Sequence, residues 1–577
     1  MGHKMGRRWT WLIAGVALIV IGGLIAHLTQ TAGGIRIEDV RFKGAKGNTM
    51  SALVYIPPGA SAQTPAPGIL AVHGYINSRE TQDGFAIEFA RRGYVVVALD
   101  QTGHGYSDPP AFANGFGGPD GLAYLRSLPF VDKANIGLEG HSMGGWTVLA
   151  AAAAMPEDYK AMVLEGSSTG APFAQEGTPQ WPRNVALVFA QYEEFSTLMW
   201  GVDRAKDVTQ SPKLQAFFGS DAPVEPGKVY GDIAKGSARV LYTPAMTHPA
   251  EHISHEAIGH SLDWFARTLQ GGTPRPASDQ IWLRKEIGTL IALLGFVALL
   301  LGAFDALIAM PGFAPLAAPA GAVPADEPPP SNGRWWTAFW LSALIPVLTY
   351  YPALALGGTV VKPSPLWPQG VTNQIVVWAL VNAVITLALM RFAPRRPHRT
   401  GLLVPTILIA LGTVAIGYLA LVIADLAFKI DFRFWVVGLK LMSGKQWLMF
   451  LIYLPPFLVF FMVALHVLHR NFSRPGIGCV RHAATLAFAL SSGFIILVVL
   501  QYGTLWLTGK LFNPLPDPGF VPLATIVAIQ FVPLLAAVGV VAAHTFRRTG
   551  SSLPGALICA LVVTWYVVAG TATQAVF

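Results

Sequence analysis

Cysteine is nearly absent from this chain. Two stand in 577 residues, Cys479 and Cys559, both in the apolar second half. The stretch 36–271 has none, which excludes a disulfide framework or a thiolate metal site there. Charge is scarce too: Asp, Glu, Lys and Arg make up 12% of the residues, against about a quarter in soluble proteins. That shortage excludes a single water-soluble domain. The charge that exists is concentrated before residue 287, beyond which the chain is mostly long apolar runs. Two compositions imply two solvents, water for 36–271 and lipid for 287–575. The net charge of +8 does not mark a nucleic-acid binder, because the arginines cluster in short loops between apolar runs. No internal repeat of a transporter kind is visible. No acidic cluster has metal-ligand spacing in the globular part, so neither metal nor organic cofactor is expected.

The basic residues set an expected topology. Residues 1–8 carry Lys4, Arg7 and Arg8, and an apolar run follows over 9–26. No small-residue cleavage site follows it, so it reads as a retained signal anchor. Eight further apolar runs of about 20 residues each suit membrane spans between 287 and 575. One is Trp336–Leu356. Arg391, Arg395, Arg396 and Arg399, then Arg470, Arg474 and Arg481, then Arg547 and Arg548 share a side with the N-terminus if every run crosses once. Lys429, Arg433, Lys440 and Lys445 on the other side weaken the contrast. The positive-inside rule then predicts a cytoplasmic N-terminus, an extracytoplasmic globular domain and a cytoplasmic Pro/Ala-rich linker over 311–332. Asp305 and Asp425 fall near opposite ends of their spans and read as interfacial or snorkelling acids. His466 and His469 read as interfacial anchors, and Pro455-Pro456 as a kink.

The globular stretch holds the chemistry. Gly140-His141-Ser142-Met143-Gly144 lies between an apolar run ending at Leu138 and an Ala-rich helical run from Trp146 to Met155. A Gly-x-Ser-x-Gly between strand and helix is the pattern of a strained, crowded turn that pushes a serine hydroxyl out of a sheet. Around it, apolar strands alternate with helical segments. Gly68–Val72, Tyr94–Asp100, Ala161–Leu164, Val185–Phe189 and Arg239–Tyr242 read as strands. Phe85–Arg92, Leu122–Leu128 and Glu256–Leu269 read as helices. This alternation predicts an α/β fold, a mostly parallel sheet with helices on both faces, joined to an all-α polytopic membrane bundle.

Three segments together, His73-Gly74, the loop from Asp100 to Asp108 (Asp-Gln-Thr-Gly-His-Gly-Tyr-Ser-Asp) and Gly140 to Gly145, resemble the α/β-hydrolase superfamily over about 230 residues, closest to its dienelactone-hydrolase and prolyl-peptidase-like branches. The resemblance implies a nucleophile, acid, histidine order. Ser142 takes the nucleophile's place. The acid's place after the strand ending at Phe189 falls on Glu193, with Glu194 as the alternative. The histidine's place after the last strand falls on His248, with His252 as the alternative. His255 and His260 belong to the last helix. The N–H groups of Tyr75 and Met143 take the oxyanion-hole positions, and Gly140 and Gly144 those of the elbow. His73, His141 and His104 read as packing residues. The insertion 196–237, with Met199, Trp200, Phe217 and Phe218, either shapes an acyl pocket or packs over the sheet edge.

The chemistry these residues support is acyl transfer: a base activates the hydroxyl and a carboxylate orients the base. The expected activity is hydrolysis of a small-molecule or lipid carboxylic ester beside the bilayer. A peptidase or amidase, or an acyltransferase to a membrane-delivered acceptor, uses the same parts. A non-catalytic transporter or sensor is the remaining reading.

Overall fold

The computed structural model describes residues 2–318, 332–391, 402–473, 477–515, 517–571 and 574–577. The expected linker 311–332 falls largely outside them, as do Arg395, Arg396, Arg399 and Arg474. The chain forms two compact units. One comprises Met1–Leu24, Gly288–Leu500 and Ala524–Ala572; the other comprises Ile25–Ile287, Gln501–Leu523 and Thr573–Phe577.

The chain opens with α1 (Gly2–Gln30), which bridges the two units along the sequence. The globular unit is built on β1 (Arg36–Lys43), β2 (Thr49–Ile56), β3 (Ala66–Val72), β4 (Val95–Asp100), β5 (Val131–His141), β6 (Ala161–Glu165), β7 (Val185–Val188), β8 (Val229–Tyr230) and β9 (Arg239–Tyr242). They form one nine-stranded sheet in the order β1-β2-β4-β3-β5-β6-β7-β9-β8. The run from β4 to β9 is parallel, while β1, β2 and β8 pair antiparallel at the edges. Strands β3, β4, β6 and β7 are apolar on both faces and buried throughout apart from the first residue of β3, as a sheet covered on both sides requires. The covering helices are α2 (Asp83–Arg91), α3 (Gly118–Ser127), α4 (Met143–Ala154) and α7 (His255–Thr268). Ser254 caps α7, its hydroxyl accepting from the N–H groups of Glu256 and Ala257. Between β7 and β9 the insertion forms α5 (Ser196–Trp200), α6 (Pro212–Phe218) and the edge strand β8.

The other unit is helical: α8 (Trp282–Ile308), α9 (Asn332–Leu348), α10 (Tyr350–Val360), α11 (Gly370–Met390), α12 (Leu403–Phe428), α13 (Gly444–Phe472), α14 (Cys479–Thr508), α15 (Phe520–Thr549) and α16 (Leu553–Trp565), with ends reaching into the globular unit. Among the described residues eight helices are long and apolar enough to cross a membrane, and a ninth span exists if α9 and α10 count as one. The continuous span expected over Trp336–Leu356 is instead bent by 43° between Leu348 and Tyr350. Pro352 explains the break, since it has no N–H for the carbonyl of Leu348 and its ring crowds that carbonyl. Neighbours satisfy the disrupted turn: Trp378 Nε1–H donates to Pro346 O at 2.8 Å and Asn382 donates to the Thr349 hydroxyl at 3.0 Å. Helix α13 runs through Pro455-Pro456 as one element.

α1 packs on α8 through glycines. A methyl at Gly15 would stand 2.5 Å from Leu299 N, and one at Gly302 would stand 2.1 Å from Leu12 N. Gly288, Gly295 and Gly302 recur every seventh residue on α8 and face Gly22, Gly15–Ile19 and Leu12. Backbones at this separation admit no side chain.

Two polar expectations change. Asp305 does not snorkel; it is 2% exposed and accepts hydrogen bonds from His544 Nε2 at 2.9 Å and Arg548 at 2.6 Å. His469 is buried and bonds the Ser473 hydroxyl, which also bonds His482. Arg433, one of the cations that blurred the charge contrast, is buried against Asp431 in a small hairpin, β10 (Phe432–Phe434) and β11 (Val437–Leu439).

Candidate active site

The serine stands where a strand feeds a helix. Ser142 follows β5 directly, caps α4, and has φ 55° and ψ −121°, a conformation that costs an L-residue free energy and persists only when its surroundings enforce it. They do so on three sides. The Ser142 N–H donates to Glu165 O at 2.8 Å, and its carbonyl accepts from Ser167 Oγ at 2.7 Å and from Gly145 N–H at 2.9 Å. Crowding explains the glycines: a methyl at Gly144 would stand 2.1 Å from Val72 O, and one at Gly140 2.3 Å from the Gly144 carbonyl.

The loops leaving β7 and β9 run side by side. Gln191 N–H donates to Pro244 O and Tyr192 N–H to Met246 O, with a bridge between Tyr192 and Thr247. This pairing brings Glu193 to His248, whose Nδ1 lies 2.9 Å from the carboxylate. Glu194 accepts from the backbone N–H of His248 at 2.8 Å and so holds the same loop from the main chain. The His252 ring stands 3.8 Å from that of His141, which in turn stands 4.6 Å from that of His248. Of the two histidines offered as base, the structure joins His248 to a carboxylate. Among the described residues Ser142 Oγ makes no hydrogen bond. The His248 carbonyl lies 3.1 Å from Nε2 of His141, the serine's chain neighbour.

Burial opposes charge throughout this cluster. Glu193 and Glu194 are each pushed up to about 8, and the imidazole of His248 is pulled down to about 3. In Glu194 the neighbouring Glu193 charge adds to burial.

Met143 N–H is the first of α4 and has no preceding helical carbonyl. A methyl at Gly74 would stand 3.1 Å from Ser142 Cβ, so the loop after β3 passes close to this serine. His73 is fully buried, its Nδ1 2.7 Å from Gly74 O and its Nε2 accepting from Gln101 N–H. Asp100 organises the following loop, accepting from Ser51 Oγ, Tyr106 N–H and Arg79 N–H. His104, which bonds Thr102 O, and the exposed or half-exposed His255 and His260 make their contacts away from the Glu193–His248 pair.

Two features escaped the sequence. Glu251, with 0% exposure, accepts from Ala190 N–H at 3.1 Å and lies 3.3 Å from His141 Nε2. It thereby ties together the loop of the acid, the elbow and its own loop, that of the base. An acid three residues beyond His248 carries no motif that marks it. Second, an aromatic wall flanks the oxyanion loop: Tyr75 stacks at 6.1 Å on Phe112, Phe112 at 6.2 Å on Phe173, and Trp146 lies 4.9 Å from Phe173. Phe112 is 40% and Phe173 45% exposed, so the wall offers apolar surface. The insertion's Met199, Trp200, Phe217 and Phe218 are instead buried. Trp200 Nε1–H donates to Ser167 O, one bond removed from Ser142.

His141, His248 and Glu251 place ligating atoms within 4.8 Å of one another. His248 Nδ1 is engaged by Glu193 and His141 Nε2 by a backbone carbonyl, so the donors already have uses within the fold.

Residues 63–242 match the family model described as serine aminopeptidase, S33. A monoacylglycerol lipase of Mycolicibacterium smegmatis is 30% identical over 179 residues, covering 30% of this chain and 61% of the lipase; the match thus spans about three fifths of that relative. Among solved structures, an esterase of Pyrococcus furiosus aligns with 18% identity over 42% of this chain and 96% of its own, at a TM-score of 0.30. A dipeptidyl peptidase 4 of Porphyromonas gingivalis aligns with 14% identity over 41% of this chain and 36% of its own, at 0.31. With its sheet order and its elbow, the globular part of this chain has the fold of an α/β hydrolase, and its residues 63–242 are similar to a serine-hydrolase family.

Proposed function

We propose that the chain is a membrane-embedded serine hydrolase that cleaves a carboxylic ester through an acyl-enzyme. Ser142 Oγ attacks the ester carbonyl as His248 Nε2 takes its proton. The tetrahedral oxyanion accepts from the N–H groups of Tyr75 and Met143, each worth about 2.7–4 kcal/mol to the transition state. His248 then protonates the leaving alcohol, and water repeats the sequence to release the acid. Glu193 fixes the imidazole tautomer and stabilises its charged form. The observation that carries this reading is the 2.9 Å contact of Glu193 with His248 Nδ1 after the neighbouring strands β7 and β9, in a chain whose Ser142 has the elbow conformation.

An ester, and an amphiphilic one, is favoured by the exposed aromatic wall and by the lipase relative. The family model's description favours the second reading, a peptidase. Initial rates on p-nitrophenyl esters and on peptide anilides separate them. Ester turnover that disappears in Ser142→Ala supports the proposal; turnover of anilides alone selects the peptidase, and a requirement for an added alcohol the transferase.

The apolar helices act in this reading as membrane spans, with α1 as a retained anchor supported by its glycine packing on α8. The N-terminus is cytoplasmic and the hydrolase domain extracytoplasmic. A reporter inserted in the linker 311–332 tests this; extracytoplasmic behaviour of that reporter inverts the orientation.

A further inference from the structure

The segment Gln574–Phe577 follows the last helix in sequence, yet belongs to the globular unit. Gln574 is 2% and Ala575 4% exposed. Ala575 pairs in two directions with the loop after β4: its N–H donates to Gly103 O at 2.7 Å and its carbonyl accepts from Ala111 N–H at 2.8 Å. The fit is close. Gly103 has φ +72°, and a methyl there would stand 2.4 Å from Ala575 O. The Tyr75 hydroxyl donates to Gln574 Oε1 at 3.4 Å. The first in sequence of the two loops so held passes the nucleophile, where a methyl at Gly74 would stand 3.1 Å from Ser142 Cβ. It carries the Tyr75 N–H, and the other leads through Ala111 into Phe112 of the aromatic wall. This second loop is tied to β2 at Ser107 and Asp108, and the two backbone hydrogen bonds to the buried segment at Ala575 add anchors at Gly103 and Ala111 on either side of those ties.

We infer that Gln574–Phe577 is a positioning strap that holds the Tyr75 loop and the Phe112 wall in place, so that acceptance of an apolar acyl group depends on the pairing at Ala575. The inference rests on the hydrolase reading for its catalytic consequence and not for its structural one. It gives the helical half of the chain a part in the site: the last described residues beyond the helices complete the substrate cleft. The acyl group lies along Tyr75, Phe112 and Phe173, and its carbonyl meets the Tyr75 N–H. Displacing the wall by an ångström degrades long apolar acyl groups more than acetyl, which does not reach it.

The test uses the full-length chain with two substitutions. Ala575→Pro removes the donor to Gly103 O and keeps the residue small. Gln574→Ala removes only the partner of the Tyr75 hydroxyl. Amide hydrogen exchange over 103–112 is read beside kcat and KM for acetyl and octanoyl p-nitrophenyl esters. For Ala575→Pro the account expects faster exchange at Ala111 with β3 to β6 unchanged. It also expects kcat/KM for the octanoyl ester to fall by about ten- to a hundredfold, the scale of an ångström's misplacement, with a smaller fall for acetyl. Equal rates and unchanged chain-length preference overturn it, and so does faster turnover, which makes the segment an obstruction instead. Should Ala575→Pro speed exchange throughout the sheet, Gln574→Ala decides: a lowered octanoyl-to-acetyl ratio supports the strap, and an unchanged ratio overturns it. A wild-type chain without ester turnover ends the hydrolase reading, while exchange at Ala111 still reports on the strap.

Discussion

Glu193 and His248 lose their protons as a pair. A neutral carboxyl beside a neutral imidazole and a carboxylate beside an imidazolium hold the same number of protons, and neither serves as the base–orienter pair. The competent state, ionised Glu193 beside neutral His248, appears when that pair loses one proton more. Burial pushes the carboxyl up to about 8 and the imidazole down to about 3, so the last loss is set by the raised group. The value of kcat/KM is therefore expected to rise with pH through about 8. A rise complete near the ordinary imidazole value of 6.5 would contradict this. Stability follows the opposite sign in part of that range. Glu139, Glu193 and Glu194, raised from 4.5 to about 8, hold protons in the folded state that the unfolded chain has released, so they lower stability as pH rises from 4.5 to 8. The lowered histidines His104 and His248 raise it only up to about 6.5, where the unfolded imidazoles are already neutral. The globular unit should thus lose thermal stability between pH 6.5 and 8 while gaining activity. At this scale a motif and a chain order single out Ser142, Glu193 and His248 in the sequence, and the structure brings the last two within 2.9 Å of each other. Glu251 was not readable, because its role comes from three loops meeting in space.

Elements explain why reading worked better in the sheet than in the bundle. Strands β3, β4, β6 and β7 are continuous apolar runs bounded by turns, and such runs have few other homes. Strand β8 is two residues long and paired only to β9, too short to leave a pattern. In the bundle, hydropathy located the long apolar helices but did not locate the break after Leu348. That break depends on Pro352 and on donors from α11, and only the proline is local in sequence. The pairing of α1 with α8 was equally hidden, since a glycine every seven residues reads as weak helix until its partner is known. It makes a sharp prediction. Gly302→Leu forces a side chain onto the backbone of Leu12 and should destabilise the helical unit by about 1–3 kcal/mol, the cost of overpacking. Gly503→Ala, where a methyl meets nothing within 4 Å, should be tolerated. Thermal unfolding in detergent compares the two, and equal midpoints would remove the close packing of α1 from the account.

For the whole molecule, the division into two units follows composition, with two exceptions. Gln501–Leu523 and Thr573–Phe577 lie within the apolar half of the sequence and yet pack with the hydrolase domain. Lys510 of the first pairs with Asp203 at 2.5 Å, and Tyr502 lies against the Glu194 carboxyl. Composition assigns a segment to a solvent, but it does not say which domain a connecting segment will join; packing decides that. Segments from the helical half of the sequence thus reach Glu194, the chain neighbour of the proposed acid, on one side and the loop of Tyr75 on the other. All of this has catalytic meaning only if the Ser142 hydroxyl is reactive. The most direct test is to expose the purified full-length protein to a fluorophosphonate probe and identify the modified residue by peptide mass spectrometry. The account predicts a single adduct on Ser142, absent from Ser142→Ala and much slower to form in His248→Ala. A folded protein that takes up no probe, or takes it up on another residue with Ser142 untouched, would contradict it.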